Sequence, residues 1–171
     1  QEAAANTALL LEAALELTGA LGEHVNFLLS RSPQLELGQL TAELPDSWQL
    51  QEGRGPVEAV IRRQGTEVLV STYFSDIISQ AQLVFGMAGT ANEQAAGLGK
   101  PIVACPGTGP QFTERFLWGQ ARLLGDAVAK VERDPVALAT EALAILQDPE
   151  RYRAMAARGR ERMGEPGATV R

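Results

Sequence analysis

With 171 residues, the chain has about the length of one domain, and a hydrophobic content of 45% supplies a full core. A formal net charge of −6 argues against a nucleic-acid binder, whose surface needs Lys and Arg. No apolar run of about 18 residues offers a membrane-spanning helix, and the single Cys105 excludes an intramolecular disulfide or a cysteine zinc site. The chain opens at Gln1 without an initiator Met, so a processed or excised piece is expected.

In chain order, Ala3–Thr18 reads as a helix with Ala4, Ala8, Leu11, Leu15 and Thr18 on one face, ended by Gly19 and Gly22. Val25–Ser30 reads as a strand. Pro33–Glu43 reads as a second helix, with Leu35, Leu37, Leu40 and Leu44 spaced along it. Trp48–Gln51 is a weak strand, and Val57–Gln64 is a short helix or a loop. Glu67–Ser71 is a buried strand, followed by a helix over about Ser75 to Gln80. Leu83–Gly86, Ile102–Cys105 and Ala127–Val131 complete the strands. Asp134-Pro135 and Asp148-Pro149 each place a capping Asp before a Pro at the first helical position, so two C-terminal helices begin there. Strands alternating with helices predict an α/β fold with a doubly wound parallel sheet, as one domain over residues 1–171. Its opening strand is expected upstream of Gln1, because such a domain begins with a strand and a tight turn.

Two glycine-rich turns follow consecutive strand tips, and each opens into a helix. The first is Gly86-Met87-Ala88-Gly89-Thr90-Ala91-Asn92-Glu93, and the second is Pro106-Gly107-Thr108-Gly109-Pro110-Gln111-Phe112-Thr113. Free N–H groups at a helix start, aligned with the helix dipole, can hold a phosphate without a metal. Glycines let the backbone approach a ligand closely, and prolines stiffen the second loop. Thr90 and Glu93 carry two competing readings. One is a capping box, with Thr90 as the cap and Glu93 reaching back to its N–H. The other turns the Glu93 carboxylate toward a ribose diol. Gln111 is the long side chain of its loop that both donates and accepts hydrogen bonds, as a sugar requires. There is no Asp-x-Asp run and no acidic cluster at the loop tips, so no metal or other cofactor is expected.

Cys105 reads as a buried strand thiol, His24 as structural or exposed, and Trp48 and Trp118 as packing residues. Trp118 lies close in sequence to the Gln111 loop. Arg151, Arg153, Arg158, Arg160 and Arg162 read as a solvated helix face, with membrane-surface or domain docking as the alternative.

The run GMAGTANEQAAGLGKP, the loop PGTGPQFT and the terminal RMGEPGA resemble the donor-binding half of two-domain (GT-B) glycosyltransferases. The likeness points toward the lipid-A-disaccharide synthase-related proteins of bacteria, and the chain is similar also to the peptidoglycan N-acetylglucosaminyltransferase. It is specific over Leu83–Gly125 and weaker but colinear elsewhere. The resemblance implies a Rossmann-like fold and, in an intact protein, inverting hexosyl transfer from a UDP-sugar, with this fragment alone inactive. It implies that Glu93 binds the ribose hydroxyls, and that Gly86, Met87, Gly89, Thr90 and Ala91 meet the diphosphate. It implies that Gly107, Gly109 and Gln111 meet the donor sugar, and that Tyr73, Phe74 and Ser75 frame the uracil. Catalytic residues are then expected in a missing N-terminal half. So is an acceptor site, with a lipid-linked acceptor and a cytoplasmic protein peripheral to the inner face of the membrane. Two alternatives carry the same residues: half of a UDP-N-acetylglucosamine 2-epimerase-like enzyme, and a nucleotide-sugar-binding module without catalysis.

Overall fold

The structure, a computed structural model, describes residues 2–21 and 25–164. Gly22, His24 and the end of the RMGEPGA motif lie outside the described residues. Chain contacts divide the molecule into two compact units, Gln1–Ala81 and Gln82–Arg171.

The first unit packs helices on a four-stranded mixed sheet. In chain order it holds α1 (Glu2–Leu21), β1 (Phe27–Ser30), α2 (Leu37–Leu40), β2 (Gln49–Glu52), β3 (Ala59–Arg63), β4 (Thr66–Ser71) and α3 (Phe74–Gln80). The sheet order is β1-β4-β3-β2. Strands β1 and β4 run parallel, with Phe27 beside Val68 and Ser30 beside Ser71. Strands β2, β3 and β4 are antiparallel neighbours. The expected wholly parallel sheet is therefore corrected here, and connection length gives the reason. Only Gln64 and Gly65 join β3 to β4, whereas a parallel crossover needs a dozen or more residues. Both turn residues have positive φ, 48° and 85°, as a tight hairpin turn requires. The same turn makes Val57–Gln64 mostly strand, neither helix nor loop.

Leu11 and Ala14 of α1 pack with Leu40, Trp48, Ala59, Ile61, Val68 and Val70 to form the core of this unit. The buried stripe of α1 runs through Ala4, Thr7, Leu11, Ala14 and Leu17, so Leu15 and Ala8 sit at its margin. The expected helix over Pro33–Glu43 shrinks to the single turn of α2. Its leucines still meet the core, but successive turns carry them there, with Leu35 N–H donating to Ser32, Leu44 to Thr41 and Trp48 to Pro45. Gly38 within the segment and Pro45 after it both oppose a longer helix.

Two ion pairs tie the strands to their surroundings. Glu12 of α1 accepts from Trp48 Nε1 at 2.8 Å and from Arg63 Nη1 at 2.7 Å. Arg31, just after β1, donates through Nε and Nη2 to Glu58 at 2.7 and 2.8 Å, and Glu58 also accepts from Thr72. The Arg31 hydrogen bond, helped by its charge and by Thr72, holds the Glu58 carboxyl below its ordinary value of 4.5. A carboxylate lowered in the fold stabilises the fold above its unfolded value, and that contribution disappears as pH falls through the lowered value. Thermal melts between pH 7 and strongly acid conditions are expected to show a loss of stability below about pH 4.5 that Glu58→Gln reduces. An identical acid profile in the variant would remove this pair from the account.

The second unit alternates strand and helix throughout: β5 (Val84–Phe85), α4 (Gly89–Gly97), β6 (Ile102–Ala104), α5 (Glu114–Leu124), β7 (Val128–Lys130), α6 (Pro135–Gln147) and α7 (Pro149–Met163). Its sheet, in the order β5-β6-β7, is parallel as expected. Both Asp-Pro caps form: Asp134 accepts from Ala137 N–H, and Asp148 from Glu150 and Arg151 N–H. Helix α7 crosses α4 closely at Gly159, where a Cβ would come within 2.5 Å of the Ala96 carbonyl oxygen. The molecule is thus α/β, with one mixed and one parallel sheet, broadly compatible with a Rossmann-like arrangement.

Candidate functional site

In the second unit, parallel pairing of β5 and β6 sets the two glycine turns side by side. Val84 lies beside Ile102 and Phe85 beside Val103, and Gly86 N–H donates to the Val103 carbonyl at 2.9 Å. The strand tips at Gly86 and Cys105 are therefore neighbours, at the carboxyl ends where ligands of open α/β sheets bind.

The first turn is shaped by buried amides. Asn92, only 1% exposed, donates through Nδ2 to the Gly86 carbonyl at 3.3 Å and to Gln120 Oε1 at 2.7 Å. Gln120 of α5 then donates through Nε2 to the Gly89 carbonyl at 2.9 Å and the Ala88 carbonyl at 3.4 Å. Asn92 sits so tightly on the turn that a Cβ at Gly86 would be 2.0 Å from its Oδ1. That oxygen is buried without a partner. The clamp consumes carbonyls of the turn, and no side chain caps the amides at the start of α4.

The helix begins at Gly89 with Ala88 in the capping position, in extended conformation and with no side-chain cap. Thr90 is thus inside the first turn, so the capping-box reading of Thr90 and Glu93 is not what the chain forms. Among the described residues the Glu93 carboxylate takes part in no hydrogen bond or ion pair, and its side chain is half-buried. Thr90 is exposed, while Met87, Gly89 and Ala91 are half-buried.

The second loop closes on itself through Gly107 N–H to the Phe112 carbonyl, 2.7 Å. Phe112 is buried and anchors it. The ring of Phe112 lies 5.4 Å from that of Phe116 on α5, and Phe116 reaches to 3.1 Å from where a Gly89 Cβ would stand. This contact chain joins the two glycine turns, and a side chain at 89 would press on the Phe116 ring. Thr113 caps α5 by accepting from Phe116 N–H, and Arg133 donates to the Pro106 carbonyl at 3.0 Å. Gly107 and Gly109 are half-buried and Gln111 is exposed on the same loop.

Cys105 is buried at the foot of this loop, with Sγ 4.0 Å from Met87 Sδ. Burial pushes its thiol up, against a smaller opposing effect of Arg133, which suits a packing residue.

Tyr73, Phe74 and Ser75 belong to the first unit, where they turn from β4 into α3. Tyr73 N–H donates to Ser71 Oγ at 3.2 Å and Phe74 N–H to the Thr72 carbonyl at 2.8 Å. Tyr73 and Ser75 are exposed and Phe74 is half-buried.

Asn92, Phe112, Phe116 and Gln120 were absent from the residues singled out in the sequence. Gln120 had a signal: it occupies a core position between Leu117 and Leu124, where a polar side chain needs a specific partner. Trp48 packs as expected, but Trp118 does not, being 57% exposed. In α7, Arg151 pairs with Glu141 and Arg158 with Glu161, in keeping with a solvated helix face. Among the described residues there is no group of three potential metal ligands from His, Cys, Asp and Glu, and no helix long and apolar enough to cross a membrane.

Comparison with family models, with curated proteins and with solved structures found no match to this chain.

Proposed function

We propose that the second unit binds the diphosphate and ribose of a UDP-sugar, and that the chain is the donor half of a GT-B-type hexosyltransferase. The observation that carries the reading is the start of α4. An uncapped helix N-terminus rises from a clamped glycine turn, and one turn further on stands a carboxylate with no partner among the described residues. Uncapped first-turn amides favour a diphosphate, and their alignment with the helix dipole stabilises negative charge on a departing nucleotide. A carboxylate free of internal partners can accept both hydroxyls of a ribose diol. The Gln111 loop beside it supplies the polar contacts a sugar needs. In the intact protein the acceptor and the catalytic base would come from elsewhere, and a lipid-linked acceptor would place the protein at the cytoplasmic face of a membrane.

Because amides carry the charge in this scheme, UDP binding needs no metal. Calorimetric titration with UDP is expected to give the same affinity in Mg²⁺ and in EDTA. An absolute requirement for Mg²⁺ would contradict the amide-based site.

A further inference from the structure

Helix α5 buries Leu117, Gln120 and Leu124 and turns Arg115, Trp118, Arg122 and Leu123 outward. Trp118 is 57% exposed and Leu123 50%. Lys130, at the end of β7, sets its ammonium 3.2 Å from the centroid of the Trp118 ring. Among the described residues, Arg115, Arg122 and Lys130 form no ion pair, whereas Arg31, Arg62, Arg63, Arg151 and Arg158 all do. Glu114, in the first turn, is the one acidic residue of α5. Gly119 lies among these side chains, and nothing stands within 4 Å of where its Cβ would be, so the face is open. A chain of net charge −6 thus gathers three unneutralised cations around an exposed indole.

We propose that this face docks on the anionic headgroups of a phospholipid bilayer. Indole rings settle at the headgroup level, where one side is apolar and the other wet. Arginine and lysine beside them meet lipid phosphates, and their long stems lie along the apolar boundary. Lys130 already holds the ring by a cation–π contact, which lowers the cost of ordering it. A peptide docking as a helix needs an apolar groove, and the face around Gly119 is open. The α7 arginines are a poorer surface: Arg151 and Arg158 are neutralised within the chain, and α7 sets no indole beside the exposed Arg153, Arg160 and Arg162. This proposal does not depend on nucleotide binding.

The test is co-sedimentation of the full chain with vesicles of phosphatidylglycerol and phosphatidylcholine in equal parts, and with phosphatidylcholine alone. Binding is expected to the anionic vesicles only, to weaken as salt rises, and to shift Trp118 emission to the blue while buried Trp48 stays constant. Each lost cation is expected to lower the partition coefficient roughly fivefold, so Arg115→Gln with Arg122→Gln lowers it about 25-fold. Trp118→Ala is expected to abolish the blue shift and weaken binding. Arg153→Gln, which removes an exposed cation from α7 and not from the docking face, is expected to leave binding within about twofold of wild type, against roughly fivefold for Arg115→Gln alone. All these side chains are exposed, so the variants should melt as wild type does. Failure to bind anionic vesicles at low salt would overturn the proposal. So would equal binding to phosphatidylcholine alone, or binding that survives both the double substitution and Trp118→Ala.

Discussion

Trp48→Ala is expected to destabilise the first unit by about 3–5 kcal/mol, the usual cost of removing a large buried aromatic. Trp48 is 4% exposed and belongs to the cluster that joins α1 to the sheet. Its loss opens a cavity among Leu11, Ile61 and Val68 and removes one of the donors that hold Glu12. Arg63, whose guanidinium lies 5.8 Å from the Trp48 ring centroid, would lose that contact as well. Trp48→Phe keeps most of the packing and is expected to cost distinctly less. Urea unfolding followed by circular dichroism checks both, and a loss below about 1 kcal/mol for the alanine variant would show that the site collapses around it.

Gly86→Ala is expected to cost about 1–3 kcal/mol, the range for forcing an extra methyl into a packed interior. The new Cβ would meet Asn92 Oδ1 at 2.0 Å, and Asn92 cannot swing away without breaking its bond to Gln120. The clash is specific, so it can be relieved: in an Asn92→Ala background, Gly86→Ala should cost much less, a coupling that a double-mutant cycle measures. Nucleotide affinity should fall with Gly86→Ala, since the turn that presents the α4 amides has to move. Additive costs in the cycle would show that Asn92 does not set this turn.

Local chemistry was the most legible part of the sequence. The Asp-Pro caps of α6 and α7 depend on two adjacent residues, and both form as read. The adjacency of the glycine turns was legible for a topological reason, because consecutive strands joined by a helix pair in parallel with one handedness. The hairpin β3–β4 was obscured by its turn. Gln64 takes a positive φ there, a conformation more typical of Gly, Asn or Asp, so no standard turn pair marked it. The leucines of Pro33–Glu43 were at helical spacing, but spacing records which residues reach the core and is silent on whether one helix or several turns deliver them. The cap of α4 was displaced by two residues. Ala88 has no side chain able to cap, so Thr90-x-x-Glu93 offered itself as the only visible signal. The Asn92–Gln120 clamp joins residues 28 apart in the chain, and no local pattern specifies such a contact.

The absence of the capping box gives Glu93 a clear test. With no partner for the carboxylate among the described residues, Glu93→Gln should leave the melting temperature nearly unchanged. A ribose diol held by a carboxylate would lose charge-assisted hydrogen bonds, so UDP affinity should fall by about 1–2 kcal/mol, roughly five- to thirtyfold. Calorimetric titration of UDP into the wild-type chain and Glu93→Gln, paired with thermal melts, is the most direct measurement of the proposed site. The account predicts binding by the wild-type chain, weakened in the variant at equal stability. Equal UDP affinity in the two proteins, or no binding by the wild type, would contradict it.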